Sequence, residues 1–213
     1  MRHNPTTISL AAADDDGIAA AQNPANNADV TLNGALVSGG IAVMDIARRV
    51  AITSAGDDTA VTFTIYGTNN RGIAIQESIK GTNTGTAVST KDYLTVTRIA
   101  TAGDAVNGLK IGTNGQASTP WFPVNHRFRP FNLGFTVALS SGAVLTYTIE
   151  HTEDDVQDLS LIQTGNINVF QHPDIASKSA NADGNYGYPM RAIRLTLNSY
   201  TSGSATLNYN EAG

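Results

Sequence analysis

Apolar and polar residues alternate along most of this chain. Val61, Phe63 and Ile65 alternate with Thr62 and Thr64; Leu145, Tyr147 and Ile149 with Thr146 and Thr148; Ile193, Leu195 and Leu197 with Arg194, Thr196 and Asn198. A period of two sends one strand face to a core and the other toward its surroundings. Here the second face is rich in threonine, whose β-branch suits the pleat. Helical periodicity is scarce. The best helix candidate is residues 10–22, weakened by Gly17 and by Pro24 just beyond.

Turn signals recur between the alternating runs: Asn33-Gly34, Gly39-Gly40, Gly56-Asp57, Asn70-Arg71-Gly72, Asn107-Gly108, Asn114-Gly115, Ser141-Gly142 and Ser202-Gly203. Such pairs supply the positive φ of tight reversals. Many short strands at this spacing predict an all-β sandwich or barrel. Hairpins are expected over 93–111, 131–149 and 192–209. The second of these carries no charge over 19 residues, about the length of a membrane span. Its interspersed Asn, Thr, Ser and Gly nevertheless read as a hairpin.

An internal echo organises the chain. Residues 50–68 and 133–152 each show a strand, a glycine-containing turn and a strand with the pattern Thr-aromatic-Thr-Ile. A duplication explains this, and so does shared strand composition. The fold expected is all-β, two β-sandwich-like modules with an irregular N-terminal arm. The arm is 1–28, the first module 29–118, a proline-rich connection 119–125, and the second module 126–213. An irregular insertion at 171–189, long for a connection, is expected to be functional or to be ordered by a partner.

Composition narrows the function. The chain has 213 residues, 41% hydrophobic, only 15% charged, with a net charge of −5 and no cysteine. An ordinary soluble domain is about 25% charged. An acidic chain neutralises few phosphates, so no nucleic-acid partner is expected. Cysteine's absence removes disulfides, thiolate metal sites and cysteine nucleophiles. No membrane partner is expected, because the apolar run at 8–13 is too short for a signal core and meets Asp14-Asp15-Asp16 at once.

Catalytic patterns are missing. There is no GxSxG, P-loop, GxGxxG or HExxH motif. The four histidines, at 3, 126, 151 and 172, form no local metal-ligand pair. The acidic run from Glu150 to Asp155, with Asp158, reads as a solvated loop rather than a carboxylate pair across a cleft. Asp14-Asp15-Asp16-Gly17 lacks the alternating spacing of a calcium loop. No enzyme, cofactor or metal is therefore expected.

Surface chemistry remains. Faces of Thr, Ser, Asn and Ala lose little solvation when covered, and strand edges with few Lys or Glu gatekeepers are open to pairing. Both features suit a subunit packed against others. They also suit a carbohydrate-binding sandwich, with Trp121 against sugar. Candidate contact residues are Asp14, Asp15 and Asp16 in the arm, Arg48 and Arg49, Trp121 and Phe122 in the connection, Arg127 and Arg129, and Tyr186 and Tyr188 in the insertion. Guanidinium groups suit bidentate pairing with carboxylates on a neighbour.

Three strings carry a resemblance: Thr31-Leu-Asn-Gly-Ala-Leu-Val-Ser-Gly-Gly40; Ala47-Arg-Arg-Val-Ala-Ile-Thr-Ser-Ala-Gly-Asp-Asp58 with Val61-Thr-Phe-Thr-Ile-Tyr-Gly-Thr-Asn69; and Arg191-Ala-Ile-Arg-Leu-Thr-Leu-Asn-Ser-Tyr-Thr-Ser-Gly-Ser-Ala-Thr-Leu207. They resemble small β-rich virion structural proteins of tailed bacteriophages, over most of residues 28–213. The resemblance implies a non-enzymatic component of the virion, assembled in the host bacterial cytoplasm. Within that class it points to a capsid decoration or cement protein whose partners are the major capsid protein and copies of itself. Neck and tail ring subunits share the composition. A host-surface glycan is the further partner that the sandwich reading allows.

Overall fold

The alternating runs form strands in the computed structural model, which describes residues 5–106, 108–127 and 130–212. In chain order they are β1 (Thr6–Ile8), β2 (Ala19–Gln22), β3 (Val37–Ser38), β4 (Ile41–Asp57), β5 (Thr62–Thr68), β6 (Ala74–Lys80), β7 (Asn83–Ala102), β8 (Leu109–Ser118), β9 (Phe122–Pro123), β10 (Asn132–Leu139) and β11 (Val144–Thr152). A short helix α1 (Leu159–Thr164) follows, then β12 (Phe170–Gln171), β13 (Ala182–Tyr186), β14 (Ala192–Ser202) and β15 (Ala205–Ala212). The fold is all-β and sandwich-like. Among the described residues no helix is long and apolar enough to cross a membrane.

The chain forms two units. One, here the terminal unit, contains Met1–Ala11, Gly115–Ile162 and Asn166–Gly213; the other, the inserted unit, contains Ala12–Asn114 and Gln163–Gly165. The division falls inside β8. The stretch 119–125, expected to connect modules, instead runs along β14 within the terminal unit. Phe122 and Pro123 pair with Ile193 and Ala192, and the Thr119 and Val124 amides donate to Leu195 and Arg191 carbonyls. The prolines sit between these donors, where a missing N–H costs nothing.

In the inserted unit the strand order is β8-β4-β7-β5-β6, with β2 on β8 and β3 on β4. The long strand β7 is shared: residues 83–96 pair with β4, residues 95–102 with β5. Register shifts along β4 and β7 let these long strands bend. The core is Ile52, Phe63, Ile65, Val96, Ile99, Leu109 and Ile111, all fully buried. Each stabilises the unit by about 1.5–3 kcal/mol relative to exposure. Gly39-Gly40 does form the tight turn between β3 and β4, with φ of 60° and 80°.

The terminal unit is a sandwich of β1-β15-β10-β13 against a sheet in which β12, β11, β14 and the end of β8 follow one another. Three expected hairpins are absent. β10 pairs with β13 and β15, while β11 pairs with β12 and β14, so 131–149 crosses from one sheet to the other. β14 and β15 cross in the same way. In the inserted unit β7 lies on β4 and β5 rather than on β8. A turn signal says that the chain reverses; it does not say whether the reversal lies within a sheet or between sheets. Burial decides. Leu133, Phe135 and Val137 must face Leu145, Tyr147 and Ile149 across the core, and an in-plane hairpin would leave that core open.

Of the arm expected over 1–28, the described residues 5–28 are mostly irregular but carry β1, paired with β15, and β2, paired with β8. The helix considered over 10–22 does not form. Ile18 and Ala19 are fully buried, which an extended segment allows without a helix's polar far side. The insertion 171–189 is ordered by the chain itself. Its amides and carbonyls at His172, Ile175 and Lys178 bond to Tyr147 and Ile149 on β11, and β13 then pairs with β10 in the opposite sheet. It thus joins both sheets along one side of the sandwich.

Candidate functional site

A dense constellation of polar and aromatic side chains lies in the terminal unit, where this closing segment meets β11. Alternation along β11 turns Tyr147, Ile149 and His151 toward the sandwich interior. His151 meets two tyrosines there: the Tyr186 hydroxyl lies 3.1 Å from Nδ1 and the Tyr188 hydroxyl 3.3 Å from Nε2. A neutral imidazole has one donor and one acceptor, so one tyrosine donates and the other accepts. Tyr186 is also ringed by Phe135 (centroids 5.6 Å) and His172 (4.9 Å, edge-on). His172 Nδ1 accepts from the Asp174 amide at 3.2 Å, which leaves Nε2 as the donor toward the Asn185 carbonyl.

Burial sets the protonation of this cluster. His151 is held below its ordinary value of 6.5 by desolvation, with His172 adding to the effect. Desolvation likewise raises Tyr186 well above the ordinary phenol range, with Tyr188 and Glu150 contributing. At neutral pH His151, Tyr186 and Tyr188 are uncharged. Toward the surface, Phe170 and Tyr188 remain 52% and 48% exposed. Their rings stand 5.7 and 5.8 Å from the His151 imidazole.

On the opposite face of β11, Glu150 forms a mostly buried pair with Arg194 at 2.7 Å, and the Thr196 hydroxyl donates to the same Oε2 at 2.7 Å. The Arg194 guanidinium lies 4.4 Å from the centre of the Trp121 ring. Glu150 therefore does not belong to a solvated acidic run; its carboxylate is committed inside the unit.

The residues singled out from the sequence scatter. Arg48 is buried at 1% exposure, ion-paired to Asp45 at 3.2 Å and bonded to the Asn114 carbonyl. Arg49 pairs with Asp92 at 3.0 Å and bonds the Ser89 carbonyl. Asp14, Asp15 and Asp16 hold their carboxylates within 4.8 Å of one another, and Asp15 pairs with Lys110. Phe122 packs on Tyr209, centroids 5.9 Å apart. Arg127 is exposed and Arg129 lies outside the described residues. Among the described residues, Tyr186 and Tyr188 join the aromatic cluster around His151. Sequence reasoning missed their partners His151, His172 and Phe170. One signal was available: the period-two run from Leu145 to Ile149 continues to His151 and places it on the core face.

Comparison of the chain with protein-family models, with curated proteins and with solved structures gives no match.

Proposed function

We propose that this chain is a non-enzymatic structural subunit of a virion, a capsid decoration or cement protein that bridges major capsid subunits. The observation that carries the reading is the treatment of hydroxyls on strand faces. Thr7–Thr206, Thr53–Thr86, Thr64–Ser78, Thr68–Thr95 and Thr146–Ser199 are each directly opposed across neighbouring strands, with oxygens 2.7–2.9 Å apart. A hydroxyl already bonded to its neighbour loses less when water is displaced than a solvated charge does. Such faces are inexpensive to cover, which is what a part enclosed by neighbours needs. Large interfaces and attachment at many symmetry-related sites would then hold it in place.

The outer edge of β1, with its uncharged Thr-Thr-Ile sequence, favours one second reading, a neck or tail ring subunit assembled edge to edge. Mass spectrometry of gradient-purified particles tests both. The chain is expected in the virion fraction at high copy number; a single ring's worth supports the second reading. Absence from particles, with the protein free in the lysate, overturns both.

A further inference from the structure

A titratable acceptor holds the turn at the start of the closing segment, and the inference drawn from it does not rest on the decoration reading. His172, Pro173, Asp174 and Ile175 form that turn. The Ile175 amide donates to the His172 carbonyl and the Asp174 amide to His172 Nδ1, each at 3.2 Å. We propose that His172 is an acid-sensitive latch: a proton taken up at Nδ1 opens the turn and frees residues 172–181 from β11 while the rest of the sandwich stays folded. An imidazole nitrogen accepts a bond only while it carries no proton. Once protonated, Nδ1 sets one donor against another.

The surroundings do little to hold such a charge. His172 is 5% exposed. Phe135 of β10 and Tyr186 of β13 pack edge-on against its ring, with centroids 5.2 and 4.9 Å away. Nε2 faces the Asn185 carbonyl at 3.4 Å. The titratable groups around it are Tyr186, the second imidazole of His151 on β11, and Asp174, an exposed residue of the turn itself. Among the described residues no carboxylate is ion-paired with either histidine. The segment is also lightly packed. From 173 to 181 Ile175 alone is buried, and few buried apolar contacts mark a segment that opens locally. Ser177 sits at φ 52°, a left-handed conformation that side chains other than glycine rarely adopt. Hydrogen bonds to β11 supply most of the hold. Tyr147 and Lys178 exchange two backbone bonds at 2.8 Å, the Ile149 amide donates to Ile175 at 3.0 Å, and the Ile149 carbonyl accepts from the His172 amide at 2.8 Å. The Tyr147 hydroxyl adds a bond to the Ala180 carbonyl, and the Ser177 amide one to Thr148 Oγ1. Release leaves the Tyr147 and Ile149 backbone groups as an open strand edge.

The test is hydrogen exchange of the Tyr147 and Ile149 amides, read by NMR on the intact chain and normalised for the intrinsic rate at each pH. Their protection should fall about tenfold between pH 7.5 and pH 5.0, the scale of one hydrogen bond lost, while the β10–β15 ladder stays protected. His172→Gln supplies a carbonyl for the Asp174 amide and does not titrate, so protection should stay high at both pH values. His172→Phe keeps a packed ring without an acceptor, so protection should be low at both. Each variant flattens the response from the opposite side, and either one suffices should the other misfold. Equal protection of wild type at both pH values would overturn the latch. So would a fall shared by the β10–β15 ladder, which would mean that the whole unit loosens. A response that His172→Gln keeps and His151→Phe abolishes would move the trigger to His151 and overturn the assignment.

Discussion

Thr53 on β4 and Thr86 on β7 stand directly opposite each other, and their hydroxyl oxygens are 2.9 Å apart. One hydroxyl donates to the other, so the pair gives up fewer bonds to water when it is covered. A double-mutant cycle with Thr53→Val and Thr86→Val should give a coupling of about 0.2–1 kcal/mol in urea unfolding. A coupling of zero would mean that the hydroxyls prefer solvent, and the inexpensive-to-cover argument would lose its basis.

Charge on such hydroxyl-paired faces separates stability from assembly. Thr53→Lys and Thr64→Lys should each lower the unfolding free energy by no more than about 1 kcal/mol, the upper end of a lost cross-strand pair. Both should reduce incorporation into particles, because a covered ammonium must be desolvated. Normal incorporation of the lysine variants would place those faces in solvent.

The Glu150–Arg194 pair should be costly to break from one side. Arg194→Ala leaves a mostly buried carboxylate with only Thr196 as partner and should destabilise the protein by about 3 kcal/mol. It also strips the cation from the Trp121 ring, so the fluorescence of the single tryptophan should shift in the native state. A denaturation midpoint matching wild type would show that the pair is solvated.

Acidification should weaken the terminal unit through His151. Its folded-state value is depressed, so the unfolded chain binds the proton more readily. The stabilisation is full above about pH 6.5, the unfolded value, and is lost as pH falls through the folded one. His172, Tyr186 and Tyr188 face the ring and supply no carboxylate to hold an imidazolium. The test is the difference in urea midpoint between wild type and His151→Phe from pH 8 to pH 5. It should shift in favour of the variant as pH falls; a flat difference would mean that His151 takes up its proton without cost.

The crossing between sheets depends on Gly203. Its φ is +89°, and a Cβ there would meet Ala143 at 2.6 Å. Gly203→Ala should cost about 1–3 kcal/mol, seen as a lowered thermal midpoint. An unchanged midpoint would mean that the β14–β15 reversal relaxes freely.

Strand positions were legible because period-two alternation survives wherever one face is buried: Val61 to Ile65 and Ile193 to Leu197 are strands as read. Pairing was not legible. Ser141-Gly142 and Ser202-Gly203 look like hairpin turns, and only the requirement to enclose Phe135, Tyr147 and Leu195 together makes them crossings. The stretch 171–189 reads as loop because Asn, Asp, Gly, Ser and Pro make up ten of its 19 residues, yet its order comes from backbone bonds to β11 that no side-chain pattern reports. Arg48 reads as surface because arginine usually is; a carbonyl 66 residues later in the chain, at Asn114, draws it inside. The aromatic cluster was half visible. Tyr186 and Tyr188 stood out, while His151 and Phe170 were separated from them by sequence distances that only the closed sandwich removes.

Whether this polypeptide lives enclosed by neighbours is read directly by a density map of gradient-purified virions. The predicted result is density for the chain at repeated positions on the head, with the Thr53–Thr86 and Thr64–Ser78 faces covered by adjacent subunits. Particles whose every density is accounted for by other proteins, with this chain recovered as a free monomer, would contradict it.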